Sequence, residues 1–195
     1  MPILTESDKR YLFVHIPKTS GSSVQALFEG CGWEVYRKQD GEQHATRNEW
    51  KEWGDFDLVF TIVRHPLTRF VSDMRGRGVE PEEMNDLVLK WLREPYERHG
   101  NHTRPQLDFF KPGDGVAFRY EDLHYRRKLL KLTKDGTFPH IKGDTYNTEV
   151  KESVLTNENI QRIQNHYKED MWAFGYPWKR AEDYNEDSVY NNGRS

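Results

Sequence analysis

The sequence predicts an α/β domain in which a central parallel sheet is flanked by helices. Two nearly continuous apolar runs, Tyr11-Leu-Phe-Val-His-Ile16 and Leu58-Val-Phe-Thr-Ile-Val63, read as strands buried on both faces, as strands of parallel sheets are. Each run is followed by a helical stripe: Val24, Leu27 and Phe28 after the first, and Leu67, Phe70, Val71 and Met74 after the second. Strands alternating with helices in this order build a parallel sheet.

Taken in order, residues 1–10 read as a polar lead-in. The first strand stops at Pro17, which has no N–H to give the ladder. The helix that follows is closed by Gly30 and Gly32, and Trp33-Glu-Val-Tyr36 reads as a short strand. Residues 37–54 are polar and irregular, with Gly41, His44, Trp50 and Trp53 among them. The Leu58–Val63 strand ends in Arg64-His65-Pro66, where proline suits a first helical turn, and that helix stops at Gly76 and Gly78. A further helix over 81–94 buries Met84, Leu87, Val88, Trp91 and Leu92. Residues 95–115 are loop. Val116-Ala-Phe-Arg-Tyr120 is a short strand, and Glu121-Asp122 lead a helix to about Leu132. Residues 133–153 read as irregular, and Thr156 caps a helix carrying Ile160, Ile163 and Tyr167 inward. One domain is expected over 1–178, with 179–195 as a polar surface tail.

Composition narrows the function. A chain of 195 residues can bury a real core within one domain. Six Trp, ten Tyr and ten Phe argue against disorder. A net charge of −3 supplies no broad basic field, so no nucleic-acid partner is expected and any phosphate site is local. The single cysteine, Cys31, excludes an intrachain disulfide framework and a multi-thiolate zinc site. No histidine or carboxylate grouping has metal-ligand spacing, so no metal is expected. Without a membrane-length apolar run or a signal-peptide profile, the chain reads as soluble and cytoplasmic.

The chemistry concentrates where the strands end. After the first come Lys18, Thr19, Ser20, Gly21, Ser22 and Ser23, opening directly into a helix. A small-residue loop at a helix N-terminus leaves amide N–H groups pointing one way, and the helix dipole adds positive potential: a site for a phosphate. It differs from the G-x-x-x-x-G-K-[ST] loop of nucleoside triphosphatases, because Lys18 precedes the glycine and no G-K-[ST] occurs. After the second strand comes Arg64, with Ser72 two turns into the next helix. Ligands of parallel sheets bind beyond the carboxyl ends of the strands. If these strands are neighbours, Lys18 and Arg64 face one crevice, and a guanidinium plus a hydroxyl suits a second phosphate. Singly, Arg64 also reads as a surface ion pair and Ser72 as a solvated helix position.

These residues resemble a known family. Ile16-Pro-Lys-Thr-Ser-Gly-Ser-Ser23 is similar to the 5′-phosphosulfate loop of sulfotransferases that use 3′-phosphoadenosine 5′-phosphosulfate (PAPS). Ile62-Val-Arg-His-Pro-Leu-Thr-Arg-Phe-Val-Ser-Asp73 resembles their 3′-phosphate motif, an arginine with a serine eight positions on. Phe118-Arg-Tyr-Glu-Asp-Leu123 and Tyr167-Lys-Glu-Asp-Met-Trp-Ala-Phe-Gly-Tyr176 are similar to segments of the Golgi-type carbohydrate branch, heparan sulfate 2-O-like, with this chain as a compact soluble member. The G-x-x-G-x-x-K segment of the cytosolic, small-molecule branch is missing. Ser20 stands where the common loop has glycine, which removes one conformationally free position.

The resemblance implies a P-loop-like, three-layer α/β fold and transfer of the sulfuryl group of PAPS to an acceptor hydroxyl, on a carbohydrate, leaving adenosine 3′,5′-bisphosphate (PAP). The loop amides of Thr19, Ser20, Gly21, Ser22 and Ser23, with the Ser22 and Ser23 hydroxyls, would hold the 5′-phosphate. Lys18 would meet the charge developing on the bridging oxygen, and Arg64 and Ser72 would clamp the 3′-phosphate. His44 is the expected base. It lies between the two motifs, twenty residues before Arg64, comparable to the catalytic histidine of that branch, and histidine titrates nearest working pH. His99, His102 and His140 are rival loop histidines, whereas His15 reads as a core residue and His65 as a helix cap. Arg104, Gln106 and Lys142 read as acceptor-lining or merely solvated. Arg119, Glu121 and Asp122 read as structural, and Trp33, Trp50, Trp53 and Trp91 mostly as core. A P-loop small-molecule kinase and a non-catalytic PAP/PAPS-binding module stand as alternatives.

Overall fold

The computed structural model describes residues 1–37, 44–122, 124–133 and 154–184. Five strands, β1 (Pro2–Glu6), β2 (Lys9–Val14), β3 (Glu34–Arg37), β4 (Leu58–Val63) and β5 (Val116–Arg119), form one sheet in the order β3-β1-β2-β4-β5. Its functional half is parallel: β2 pairs with β4, and β4 with β5. β1 runs antiparallel to both β2 and β3. Residues 1–10, expected as a lead-in, therefore form a hairpin with Glu6 opposite Lys9. The two-residue turn puts Ser7 at φ 55, as tight hairpins require. Leu4 and Ile3 are buried by it.

The strand side chains alternate between faces, as a pleated backbone dictates. Leu12, Val14 and Val63 join Trp50, Phe109, Phe110 and Met171 on one side. Phe13, Phe60 and Ile62 join Val24, Leu27, Phe28, Tyr125 and Leu129 on the other. Helices α1 (Gly21–Gly30) and α5 (Tyr125–Leu130) thus cover one face, and α2 (Arg47–Lys51) and α7 (Lys168–Ala173) the other. This is the three-layer α/β arrangement. Helices α3 (Pro66–Gly76), α4 (Pro81–Arg93) and α6 (Asn157–His166) bury a separate cluster of Leu67, Phe70, Met74, Val88, Ile160 and Tyr167. Thr156 caps α6 by accepting from the Asn159 amide at 3.3 Å.

Helix α2 lies in the stretch expected to be irregular. Glu49 accepts from the Thr46 amide at 2.5 Å, the reciprocal half of an N-terminal capping box. The helix is bolted down by Trp50 Nε1 donating to the Phe109 carbonyl at 2.7 Å and by a two-pronged Arg47–Asp114 pair at 2.7 Å. Residues 179–184 lie against α6, where Gln164 exchanges bonds with Lys179 at 2.7 and 2.9 Å. Among the described residues, no helix is long and apolar enough to cross a membrane.

Candidate active site

Because β2 and β4 are hydrogen-bonded neighbours running the same way, the loops leaving their carboxyl ends are side by side. In the first loop Lys18 has φ 65 and Ser20 φ 72. Left-handed residues flank Thr19 on both sides, and backbone that alternates in hand is the kind that gathers amides into an anion-binding nest. Both are non-glycine residues in a region that costs roughly 1 kcal/mol or more, and such strain gathers at ligand sites. The Thr19 hydroxyl is turned inward, donating to the Ile16 carbonyl at 2.8 Å, and is already engaged. Ser20 is the N-cap of α1, and its carbonyl accepts from the amides of Ser23 and Val24 at 3.0 and 3.1 Å. Of the five amides put forward by the sequence, that of Ser23 is already engaged. Those of Thr19, Ser20, Gly21 and Ser22 have no acceptor among the described residues.

Gly21 is required by a close approach rather than by its dihedral angles. A Cβ there would sit 1.7 Å from Nε2 of His15. The His15 ring is 5% exposed, stacked on Phe13 at 5.6 Å and beside Gln25, so it has no room to yield. We expect Gly21→Ala to cost about 1–3 kcal/mol, as overpacking does, and to lower the melting temperature by about 2–10 °C in a calorimetric scan. An unchanged melt would mean that the ring can move.

Arg64 leaves the tip of β4 and reaches back over the same loop. Its Nη1 donates to the Lys18 carbonyl at 3.2 Å, its Nε to Thr68 Oγ1 at 3.1 Å, and its guanidinium lies 4.5 Å from the centre of the Tyr120 ring. Its backbone is gripped at both ends by Gln106, whose Oε1 accepts from the Arg64 amide and whose Nε2 donates to the Arg64 carbonyl, each at 2.9 Å. Gln106 is fully buried, so it is a structural clamp and not a solvated or acceptor-lining side chain. Behind it, the wholly buried Asp170 of α7 accepts from the amides of Gln106 and Leu107 at 2.7 and 3.0 Å. His65 caps α3, accepting from the Leu67 amide at 3.2 Å, and Glu121 holds its amide at 2.7 Å. Ser72 is half-buried on α3. Nothing in the local sequence announces the Gln106–Asp170 clamp, because its partners come from distant segments.

His44 sits on the other flank of the loop. Its Nδ1 is 2.9 Å from the His15 carbonyl. A carbonyl only accepts, so Nδ1 carries the proton and Nε2 holds the lone pair. Its ring meets His15 edge-on at 4.7 Å and His102 at 5.1 Å. Burial lowers its pKa to about 4; the His15 carbonyl contact opposes that shift and the neighbouring His102 adds to it. The ring is therefore neutral at neutral pH. His102 is tied to Asp73 at 2.6 Å. Arg104 is spent on Glu97, Asp108 and Asn101. Trp33, Trp50 and Trp91 are core residues and Trp53 packs against the core. The His99 side chain, His140 and Lys142 lie outside the described residues. Among the described residues, no group of three or more His, Cys, Asp or Glu is placed to hold a metal.

The arrangement therefore brings a loop with unengaged amides, the Arg64 guanidinium and a neutral imidazole together at the carboxyl ends of β2 and β4. A family model described as "Sulfotransferase family" matches residues 1–177. Among curated proteins, the catalytic subunit of a threonine–tRNA ligase from Sulfurisphaera tokodaii is 26% identical over 154 residues, which is 71% of this chain; the chain spans only 28% of that protein. No solved structure matches the chain.

Proposed function

The chain belongs to the sulfotransferase family, and from that premise we propose that it moves the sulfuryl group of PAPS to an acceptor hydroxyl of a carbohydrate, with His44 as the base. One observation carries the reading: Arg64 from β4 bonds to the main chain of the Lys18 loop from β2, while His44 bonds to the residue at the other end of that loop. Arg64 and His44 thus both bond to the main chain of the turn that carries Lys18, which supports reading it as the site. The amides of Thr19 to Ser22 and the hydroxyls of Ser22 and Ser23 hold the 5′-phosphate. Arg64, with Ser72, takes the 3′-phosphate, and binding that remote group fixes the reacting end. The departures from the cytosolic branch and the segments at 118–123 and 167–176 support the carbohydrate assignment. Residues 1–178 make up the catalytic domain.

Transfer forms a bond from acceptor oxygen to sulfur and breaks the bond from sulfur to the bridging oxygen. The bonding pair leaves with the 5′-phosphate, where Lys18 offsets the charge. The hydroxyl proton passes to His44 Nε2. An imidazole with a pKa of about 4 is neutral but weakly basic. The donor's phosphates, brought nearby, raise that pKa toward working pH, so the base strengthens when the donor is bound. The chemistry drawn in this way asks for no metal.

A thermal-shift comparison of PAP with ATP and AMP tests the donor. At one hundred times its dissociation constant PAP should add about 2.7 kcal/mol, or roughly 5–10 °C at this size, with little from ATP or AMP. Stabilisation by ATP and none by PAP would overturn the reading in favour of a kinase. Arg64→Ala should weaken PAP about 10–100-fold, the worth of one or two charge-assisted bonds. An acceptor screen with labelled PAPS then separates an enzyme from a binding module.

A further inference from the structure

His102 is the second imidazole against His44, and it is not loose. Asp73, on α3 and 3% exposed, meets its Nδ1 at 2.6 Å and the Nε of Arg77 at 3.0 Å. Burial alone would raise the Asp73 carboxyl, but its contacts with His102 and Arg77 outweigh it and hold the group below its ordinary range. Asp73 is therefore a carboxylate at working pH, an acceptor only, and His102 Nδ1 must donate to it. That bond fixes the His102 ring, which stands at 87° to His44.

The turn carrying His102 is itself pinned. Asn101 Nδ2 donates to the His44 carbonyl at 3.2 Å, Arg69 Nη2 to the Arg104 carbonyl at 2.6 Å, and the Tyr167 hydroxyl to the Thr103 carbonyl at 2.5 Å. His44 is thus enclosed by His15 on one side and His102 on another, with its Nδ1 engaged. Resting on the reading of His44 as the base, we propose that Asp73 and His102 are positioning residues that hold the His44 ring in register with the acceptor hydroxyl. The reason is geometric: an imidazole on an irregular segment has rotamers to choose from, and a misplacement of about 1 Å can cost about 100-fold. Among the described residues, the charged and titratable groups facing His44 are His15 from the end of β2, His102 from the 101–104 turn, Arg69 from α3 and the amino group of Met1. His102 is linked to the Asp73 carboxylate, which fixes its orientation.

The test is a cycle of His102→Gln, Asp73→Asn and His44→Ala in the intact chain, with PAP binding, steady-state kinetics and the pH profile read for each. His102 is partly exposed, so His102→Gln should fold and bind PAP within about twofold of the parent. Its kcat should fall about 10–100-fold with the donor KM unchanged, because a ring out of register loses transition-state contact and not binding. The acid limb of kcat/KM should move to higher pH, since the push of His102 on His44 is gone. In the His44→Ala background, His102→Gln should do nothing further, as expected of a residue that acts through another. Asp73→Asn should repeat the kcat loss; if it fails to fold, the His102 arm decides alone. A His102→Gln enzyme within about threefold of the parent kcat, or a further loss in the His44→Ala background, would overturn the proposal. Full activity in His44→Ala alone would instead remove the base reading beneath it.

Discussion

Replacing His44 with alanine should lower kcat by about 10²–10⁴-fold, the usual worth of a positioned general base, and leave PAP affinity where it was. The ring contributes a lone pair at Nε2 only because the His15 carbonyl occupies Nδ1. Asparagine, which keeps the tether but not the basic nitrogen, should be nearly as poor. Retention of activity in both variants would transfer the role to another group. The pH dependence should be diagnostic too. The free-enzyme pKa of about 4 places the acid limb of kcat/KM there, and the limb of kcat higher, because bound phosphates favour the imidazolium. Stability follows the same sign. An unfolded histidine titrates near 6.5 and the folded one near 4, so the unfolded chain takes up the proton first. Stability should be full above about 6.5, fall as pH drops through the window to about 4, and level off below it. A denaturant series at four or five pH values, with His44→Asn as the flattened control, reads this directly.

Lys18→Ala should cost about 10²–10³-fold in kcat, comparable to losing one preorganised group that meets developing charge, with a smaller change in PAP binding. The substitution is clean because the backbone of Lys18 is held independently of its side chain. Its carbonyl accepts from Arg64, and alanine keeps the Cβ, so the left-handed conformation at φ 65 is no worse satisfied. Lys18→Arg should recover only part of the loss, since a planar fork does not replace a point charge at the same reach. An alanine variant with unaltered kcat would show that the lysine is a bystander at the rim.

The two central strands and the helices after them are legible in the sequence because burial on both faces leaves an unbroken apolar run, and a covering helix leaves a stripe. β1 is not legible in that way: only Ile3 and Leu4 are strongly apolar, and its place depends on a partner, β3, that lies beyond α1. α2 carried a readable signal, Thr46 followed three residues later by Glu49, within a stretch too polar to suggest a helix. In the site, the juxtaposition of the Lys18 and Arg64 loops follows from β2 and β4 being neighbours; the apolar runs show that both strands are central but leave their adjacency open. Gln106, Asp170 and the Asp73–His102 pair do not show, because each joins segments far apart in the chain and no local period records such a meeting. Thr19 shows the opposite limit: its hydroxyl looks available in the sequence and is consumed within the turn.

Asp170 also gives the protein a built-in reporter. The Arg64 amide donates to a side chain, Gln106, whose own amide is anchored on α7, so its protection against deuterium uptake depends on a helix near the other end of the domain. If α7 lifts, that amide should exchange along with those of Gln106 and Leu107, while the neighbouring amides of β4 stay protected by their ladder. A single backbone proton beside the Lys18 loop would then gauge how often α7 undocks.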